Sequence, residues 1–270
     1  MTGFDSDATT LPLVLLHGAT SSARAWEPLL PTLEAHHRVF VPTLAGHWGG
    51  PPLNVAPAMV VEGIVDAMCR QLDEAGIETA HLVGNSLGGW IALELARRGR
   101  ASSVLAFAPA GAWRSPKDLT RMLMIFRVGA QLRKATHIHK LAASNNKMRR
   151  ILLRSMAEHA DRMTQAQATA LFEDMAGCAV LTDLLAGARD AGPMTAFAQL
   201  TCPVRIAWGW QDRTLPFMSY GAPMLEAVPG AELVMLPDVG HVPMIDDPAL
   251  TAQTILEFVE TAVARQRSGD

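Results

Sequence analysis

A chain of 270 residues with 49% hydrophobic and 18% charged side chains can bury one large core, which excludes a peptide, a wholly disordered chain or a mini-protein. Its formal charge of −3 excludes the overall basic footprint of a dedicated nucleic-acid binder. Cys69, Cys178 and Cys202 are widely spaced with no C-x-x-C pair, which excludes a disulfide framework and a zinc ribbon.

Residues 1–10 carry two aspartates and no Lys or Arg, unlike a secretory leader. No stretch reaches ~18 uninterrupted apolar residues, so a cytoplasmic protein without stable membrane insertion is expected. The first element is Leu11 to Leu16, an unbroken apolar run too short for a helix, which reads as a buried strand ending at His17-Gly18. A helix is expected from Ser21, with Ser21 or Ser22 as its cap and Ala25, Leu29, Leu30 and Leu33 inward. Arg38 to Pro42 is a second strand, followed by a Gly/Pro-rich loop from Gly46 to Pro57. Pro57 to Glu74 is a helix closed by Gly76, His81 to Gly84 a strand, Leu87 to Arg98 a helix closed by Gly99, and Val104 to Ala108 a fourth strand. Val204 to Trp208 and Leu233 to Leu236 are strands five and six, and Pro248 to Arg265 a terminal helix.

Short, wholly apolar strands alternating with helices are the signature of βαβ units. The expected fold class is therefore α/β, with a mostly parallel sheet of about six strands flanked by helices. Residues 113–194 show only helical periodicity, broken around Ser144 to Asn146 and near Gly177, and are expected to form an inserted all-helical cap. Residues 1–112 and 195–270 then form the core. An insertion after the fourth strand lies at the carboxyl edge of the sheet, where open α/β proteins bind ligands.

The third strand runs into Gly84-Asn85-Ser86-Leu87-Gly88 and then a helix, which is G-x-S-x-G in a strand-turn-helix setting. Ser86 is the candidate nucleophile. A serine hydroxyl needs an imidazole to take its proton and a carboxylate to orient that imidazole. Asp212 follows strand five and His241 follows strand six, so the three stand in the order Ser, Asp, His on strand-edge loops. Asp238 is a rival for the acid, three residues from His241, but Asp212 is favoured by its place after the preceding strand. The amides of Ala19 and Leu87 are candidates for an oxyanion hole.

With these residues the chain resembles the α/β-hydrolase fold over nearly its whole length. The resemblance implies a Ser86, His241, Asp212 triad, Ala19 and Leu87 as oxyanion amides, and His17 and Gly18 as supporting loop residues. Family members usually begin with two more strands, which are expected to be missing here. Dehalogenases and epoxide hydrolases of the family place an aspartate where Ser86 stands, because their nucleophile forms an alkyl ester. A serine implies hydrolysis of a carboxylic ester or related acyl compound. Alternatives are a carbon–carbon bond hydrolase of ring-cleavage diketones, or a non-catalytic ligand-binding protein on the same fold.

Trp113, which opens the insertion, and Val242 are the expected pocket residues; Trp48, Trp208 and Trp210 are further tryptophans that either line it or pack beside the sheet. His36-His37 and His137-x-His139 lack a companion cluster at metal spacing, so no metal and no cofactor are expected. Residues 114–154 carry eleven Lys/Arg against one acid, Asp118. This is either a solvated face or a field that steers an anionic acyl substrate. Oligomeric state has no signal in the sequence.

Overall fold

In a computed structural model, residues 11–132, 136–198 and 200–268 are described. The leader expectation for residues 1–10, and Arg133 and Lys134 of the basic segment, lie outside the described residues. Strand β1 (Leu13–Leu16) is buried throughout because its side chains alternate between two cores. Leu13 and Leu15 join one cluster and Val14 and Leu16 the other. The same alternation places Val83, Leu105 and Ala207 on the first face, and Leu82, Val104 and Ile206 on the second. Such strands, apolar on both sides, demand helices on both sides.

The sheet contains β2 (Val39–Phe40), β1, β3 (Ala80–Asn85), β4 (Ala101–Phe107), β5 (Val204–Gly209) and β6 (Glu232–Leu236), in that spatial order. All five pairings are parallel. The chain moves outward from β1 to β2 and then crosses back to β3. The carboxyl ends of β1 and β3 therefore flank a point where the winding reverses, and such a point opens a crevice.

Helix α1 (Leu30–Leu33) is one short turn preceded by a 3₁₀ segment, Ala23–Leu29, where Pro28 interrupts regular helix. Ser22 caps that segment, its hydroxyl accepting from the Arg24 amide. Helix α2 (Val60–Glu74) buries Val60, Ile64, Met68 and Leu72 at steps of four, and α3 (Leu87–Arg97) follows β3 directly.

Between β4 and β5 the regular elements of the described residues are all helical: α4 (Pro116–Leu132), α5 (Thr136–Ser144), α6 (Asn146–Leu152), α7 (Gln165–Gly177) and α8 (Leu181–Ala191), with a 3₁₀ turn at Ala160–Arg162. Helices α5 to α7 hold a small core of their own around Ala142, Leu153, Ala160, Ala168 and Phe172. Helices α4 and α8 instead contribute Met122, Leu123 and Leu181 to the main core. The guanidinium of Arg149 is buried inside the small core, and its acceptors are neutral: the carbonyls of Ala143 (2.7 Å), Ala160 (3.1 Å) and Met163 (2.6 Å), and Asn146 Oδ1 (2.7 Å).

Helix α9 (Phe217–Ala227) was not expected from the sequence, where Pro216, Gly221 and Pro223 interrupt its periodicity. After β6 come α10 (Pro243–Asp246) and α11 (Pro248–Ser268). Among the described residues no helix is long and apolar enough to cross a membrane.

Candidate active site

Strand β3 ends at Asn85, and the next residue, Ser86, has φ 55° and ψ −116° before α3 begins. A non-glycine residue held there is strained, and the neighbouring glycines explain how the chain tolerates the turn. A Cβ at Gly84 would lie 2.2 Å from the Gly88 carbonyl oxygen, and one at Gly88 would lie 2.2 Å from that of Leu16. Only glycine lets β1, β3 and α3 meet this closely. The Ser86 amide donates to the Phe107 carbonyl (2.9 Å), and its carbonyl accepts from Trp90 and Ala110. Ser86 is thus held at its backbone while its side chain lines a cavity of about 610 Å³.

His241 lines the same cavity, on the loop between β6 and α10. Its Nδ1 lies 2.7 Å from Asp212 Oδ2, and Asp212 Oδ1 accepts from the Leu215 amide, also at 2.7 Å. A carboxylate on Nδ1 assigns the ring proton to that nitrogen, which leaves Nε2 as the basic lone pair. Asp238 takes no part in this: its side chain is exposed and lies 2.9 Å from His159 Nε2.

His17, at the end of β1, is fully buried. Its Nε2 accepts from the Leu44 amide (3.0 Å), so its Nδ1 donates to the Gly18 carbonyl (2.8 Å). Burial, with His47 nearby, pushes its pKa down to about 3, so His17 orders the loop rather than acting as a base. A Cβ at Gly18 would stand 3.3 Å from that of Ser86, which places this loop directly against the elbow. Ala19 lines the cavity beside it. Leu87 is the first residue of α3, and its N–H is one of the four at that terminus without an intrahelical acceptor.

Burial also holds His47 and His81 down to about 4. In the unfolded chain these three histidines take up protons below about pH 6.5, whereas the folded chain keeps them neutral until about pH 4. Their contribution is complete above pH 6.5 and is lost as pH falls, at about 1.4 kcal/mol per pH unit per histidine. Burial raises the carboxyls of Asp174 and Asp246, which offsets part of this loss in the lower carboxylate range. Urea midpoints are expected to fall from pH 7 to 6 to 5; a flat profile would contradict buried neutral imidazoles.

Asn85 went unnoticed in the sequence, since nothing about its type marks the residue beside the candidate nucleophile. Its Nδ2 donates to the carbonyls of His241 (2.9 Å) and Phe107 (3.2 Å), tying the histidine loop to the sheet. Asn85→Asp would turn a carboxylate oxygen toward two carbonyl oxygens. If His241 is the base, kcat is expected to fall about 10²-fold with KM little changed, because displacing a base costs rate before binding. Steady-state kinetics on a soluble ester measures both.

Residues 155–162 brace the loops that carry Asp212 and His241. The Thr214 hydroxyl donates to the Ser155 carbonyl (2.7 Å), Arg213 pairs with Glu158, and the Val242 amide donates to the Met156 carbonyl (3.0 Å). The fully buried Asp246 carboxylate accepts from the amides of Gly240 (2.6 Å), His159 (2.7 Å) and Glu158 (3.1 Å). A second tie joins α7 to the loop after β1: buried Asp174 accepts from Ser22 Oγ (2.7 Å) and pairs with Arg24.

Val242 is on the cavity wall, but Trp113 is not. The chain turns at Gly111, with φ 110°, and the Arg114 amide then bonds to the Ser219 carbonyl at 2.9 Å. This carries Trp113 against the main core instead. Trp48, Trp208 and Trp210 also lie off the wall: Trp208 is buried with its Nε1 donating to the Leu215 carbonyl, Trp210 is exposed, and Trp48 lies against Gly177. His139 is on the wall, stacked on Phe172 with ring centroids 4.6 Å apart. Among the described residues no group of three His, Cys, Asp or Glu is arranged to hold a metal ion.

Residues 13–254 match the model of the alpha/beta hydrolase family. The chain belongs to this family. This hydrolase is 34% identical over 209 residues to a Mycobacterium tuberculosis protein named epoxide hydrolase EphH, covering 76% of this chain and 97% of that one. It is 26% identical over 268 residues to a pimeloyl-[acyl-carrier protein] methyl ester esterase of Aromatoleum aromaticum, covering 92% and 97%. A solved 2-hydroxy-6-oxo-6-phenylhexa-2,4-dienoate hydrolase from Rhodococcus shares the fold with a TM-score of 0.74 at 22% identity, covering 94% of this hydrolase and 92% of that chain.

Proposed function

We propose that this hydrolase is a cytoplasmic serine hydrolase that cleaves a carboxylic ester through an acyl-enzyme. The observation that carries the reading is the 2.7 Å contact of His241 Nδ1 with Asp212, on the cavity where Ser86 sits at the strained elbow. His241 Nε2 takes the Ser86 proton as Oγ attacks the ester carbonyl, and Asp212 stabilises the resulting imidazolium. The amides of Ala19 and Leu87 receive the oxyanion, each contributing about 3 kcal/mol at the transition state. The imidazolium returns its proton to the departing alkoxide, and water, activated by the same imidazole, releases the acid. Residues 113–194 act as a cap that roofs the cavity and keeps bulk water from the acyl-enzyme.

The name of the M. tuberculosis relative is not carried over, for a chemical reason. Ser86 opening an epoxide would form an alkyl ether, which has no carbonyl for water to attack. Carbon–carbon bond cleavage is the second reading, favoured by the likeness to the Rhodococcus hydrolase and to a Burkholderia cepacia relative of the same name, 24% identical.

The test is labelling with a fluorophosphonate, followed by mass mapping of the adduct and turnover of p-nitrophenyl butyrate. An adduct on Ser86 with ester turnover is expected. Labelling with turnover of a dienoate diketone alone would support the second reading. A folded protein that neither labels nor turns over ester would support a ligand-binding protein.

A further inference from the structure

The cavity is larger than the chemistry at Ser86 requires, and the composition of its wall bears on what fills it. At about 610 Å³ it lies within the ~300–1,000 Å³ range of small-molecule sites. Five of the chain's 14 methionines line it: Met124, Met156, Met163, Met175 and Met244. Phe126, Leu171, Phe172 and Ile245 are among the other apolar residues of the wall. Methionine is unbranched and polarisable, so a surface built from it adapts to differently shaped apolar guests.

The wall charges are balanced, three guanidiniums against three carboxylates, and the buried ones are already satisfied. Asp174 is taken by Ser22 and Arg24, and Asp246 by three backbone amides. Arg24 is held by Asp174 and Glu173, and Arg162 donates to the Asp246 carbonyl. Of the eleven Lys/Arg in residues 114–154, Arg121 is the one on the wall among the described residues, exposed and bonded to the carbonyls of Arg213 and Thr214. Arg149 is spent inside the small core, and Arg150 and Arg154 face Glu158. Among the described residues, the basic segment thus supplies no cation buried in the cavity wall and awaiting a substrate carboxylate. Met124 and Val128, on the wall yet more than half exposed, carry the apolar surface out to solvent.

We propose that the substrate is an ester of an uncharged, apolar acid of medium length, about eight carbons, accepted by a pliable methionine wall that tolerates chain branching. An acyl chain that desolvates along this wall gains about fourfold in affinity per methylene, whereas a carboxylate at its far end loses its hydration without gaining a partner. This inference rests on the serine-hydrolase reading only for its turnover arm.

A matched pair tests it. p-Nitrophenyl octanoate and the mono-p-nitrophenyl ester of octanedioic acid have equal length and differ at the far end by one carboxylate. The expected kcat/KM ratio is about 10²-fold or more in favour of the octanoate, which should also exceed the acetate at least tenfold. The branched 2-ethylhexanoate should fall within about tenfold of the octanoate, and 0.5 M NaCl should leave the octanoate ratio unchanged. In parallel, binding of 2-decanone and of 9-oxodecanoate to Ser86→Ala is measured by calorimetry, with the ketone expected at least tenfold tighter. Equal or better performance of the carboxylated member in either arm overturns the proposal, as does a preference for acetate. If neither ester is turned over and fluorophosphonate leaves Ser86 unlabelled, the serine reading fails while the ketone pair still judges the cavity.

Discussion

Ser86→Ala is expected to lower kcat on a p-nitrophenyl ester by about 10⁴-fold or more while leaving the urea midpoint of the protein nearly unchanged. Both halves follow from the elbow. In the proposed mechanism alanine removes the oxygen that forms the acyl-enzyme, so whatever rate remains would come from oriented water and the candidate oxyanion amides. It keeps a Cβ at φ 55°, so the backbone strain stays in place. Ser86→Gly separates the two effects. It should be equally inactive yet more stable than Ser86→Ala by about 1 kcal/mol, because glycine adopts this conformation without a side-chain clash. Activity within tenfold of wild type in Ser86→Ala would remove Ser86 from the mechanism. Equal midpoints for the two variants would instead deny the strain.

Arg149→Leu is expected to cost about 3 kcal/mol or more. The guanidinium joins the end of α5 to the 160–163 turn, and leucine would take this donor from the carbonyls of Ala143 and Met163 and leave that of Ala160 with the Met163 amide alone. Arg149→Lys should not rescue it. An ammonium keeps the charge but lacks the planar fork that reaches carbonyls on opposite sides at once. Hydrogen exchange should locate the loss in α5 to α7, with the sheet still protected. A urea midpoint equivalent to less than about 1 kcal/mol of change would contradict this role.

Arg149 also shows where sequence reading runs out. In the sequence it is one of eleven cations on a helical stretch, and a solvated face is the natural expectation. Nothing in the pattern marks it as the one whose stem is swallowed, because its acceptors are carbonyls that every residue carries. The sheet was more legible. Leu13–Leu16 is wholly apolar because both faces are covered, and the inner strands β3, β4 and β5 each carry a mostly buried apolar stretch. Helix α9 was hidden by Pro223, which sits inside it and breaks the periodicity a reader relies on. At the site, the order of Ser86, Asp212 and His241 along the chain was visible, and the Asp212–His241 hydrogen bond is where the folded loops bring two of them. Asp238 was the rival acid, nearer to His241 in sequence, and its pairing with His159 is a fact of folding alone. Trp113 was misplaced for a related reason: a single turn at Gly111 redirects a side chain that periodicity places at the mouth of the insertion.

The brace formed by residues 155–162 bears on how far this protein's specificity can be re-engineered by swapping parts. A helical segment transplanted wholesale from a relative, from the end of β4 to the start of β5, would remove the Met156 carbonyl that holds Val242, the Ser155 carbonyl that holds Thr214, and the two amides that share Asp246 with Gly240. Such a chimera would carry a new pocket and a loosened histidine loop. Two separate grafts, replacing α4 and α7 while retaining the stretch from Ser155 to Arg162 and the Asp174 carboxylate, would change the guest and keep both ties to the loops around Ser86.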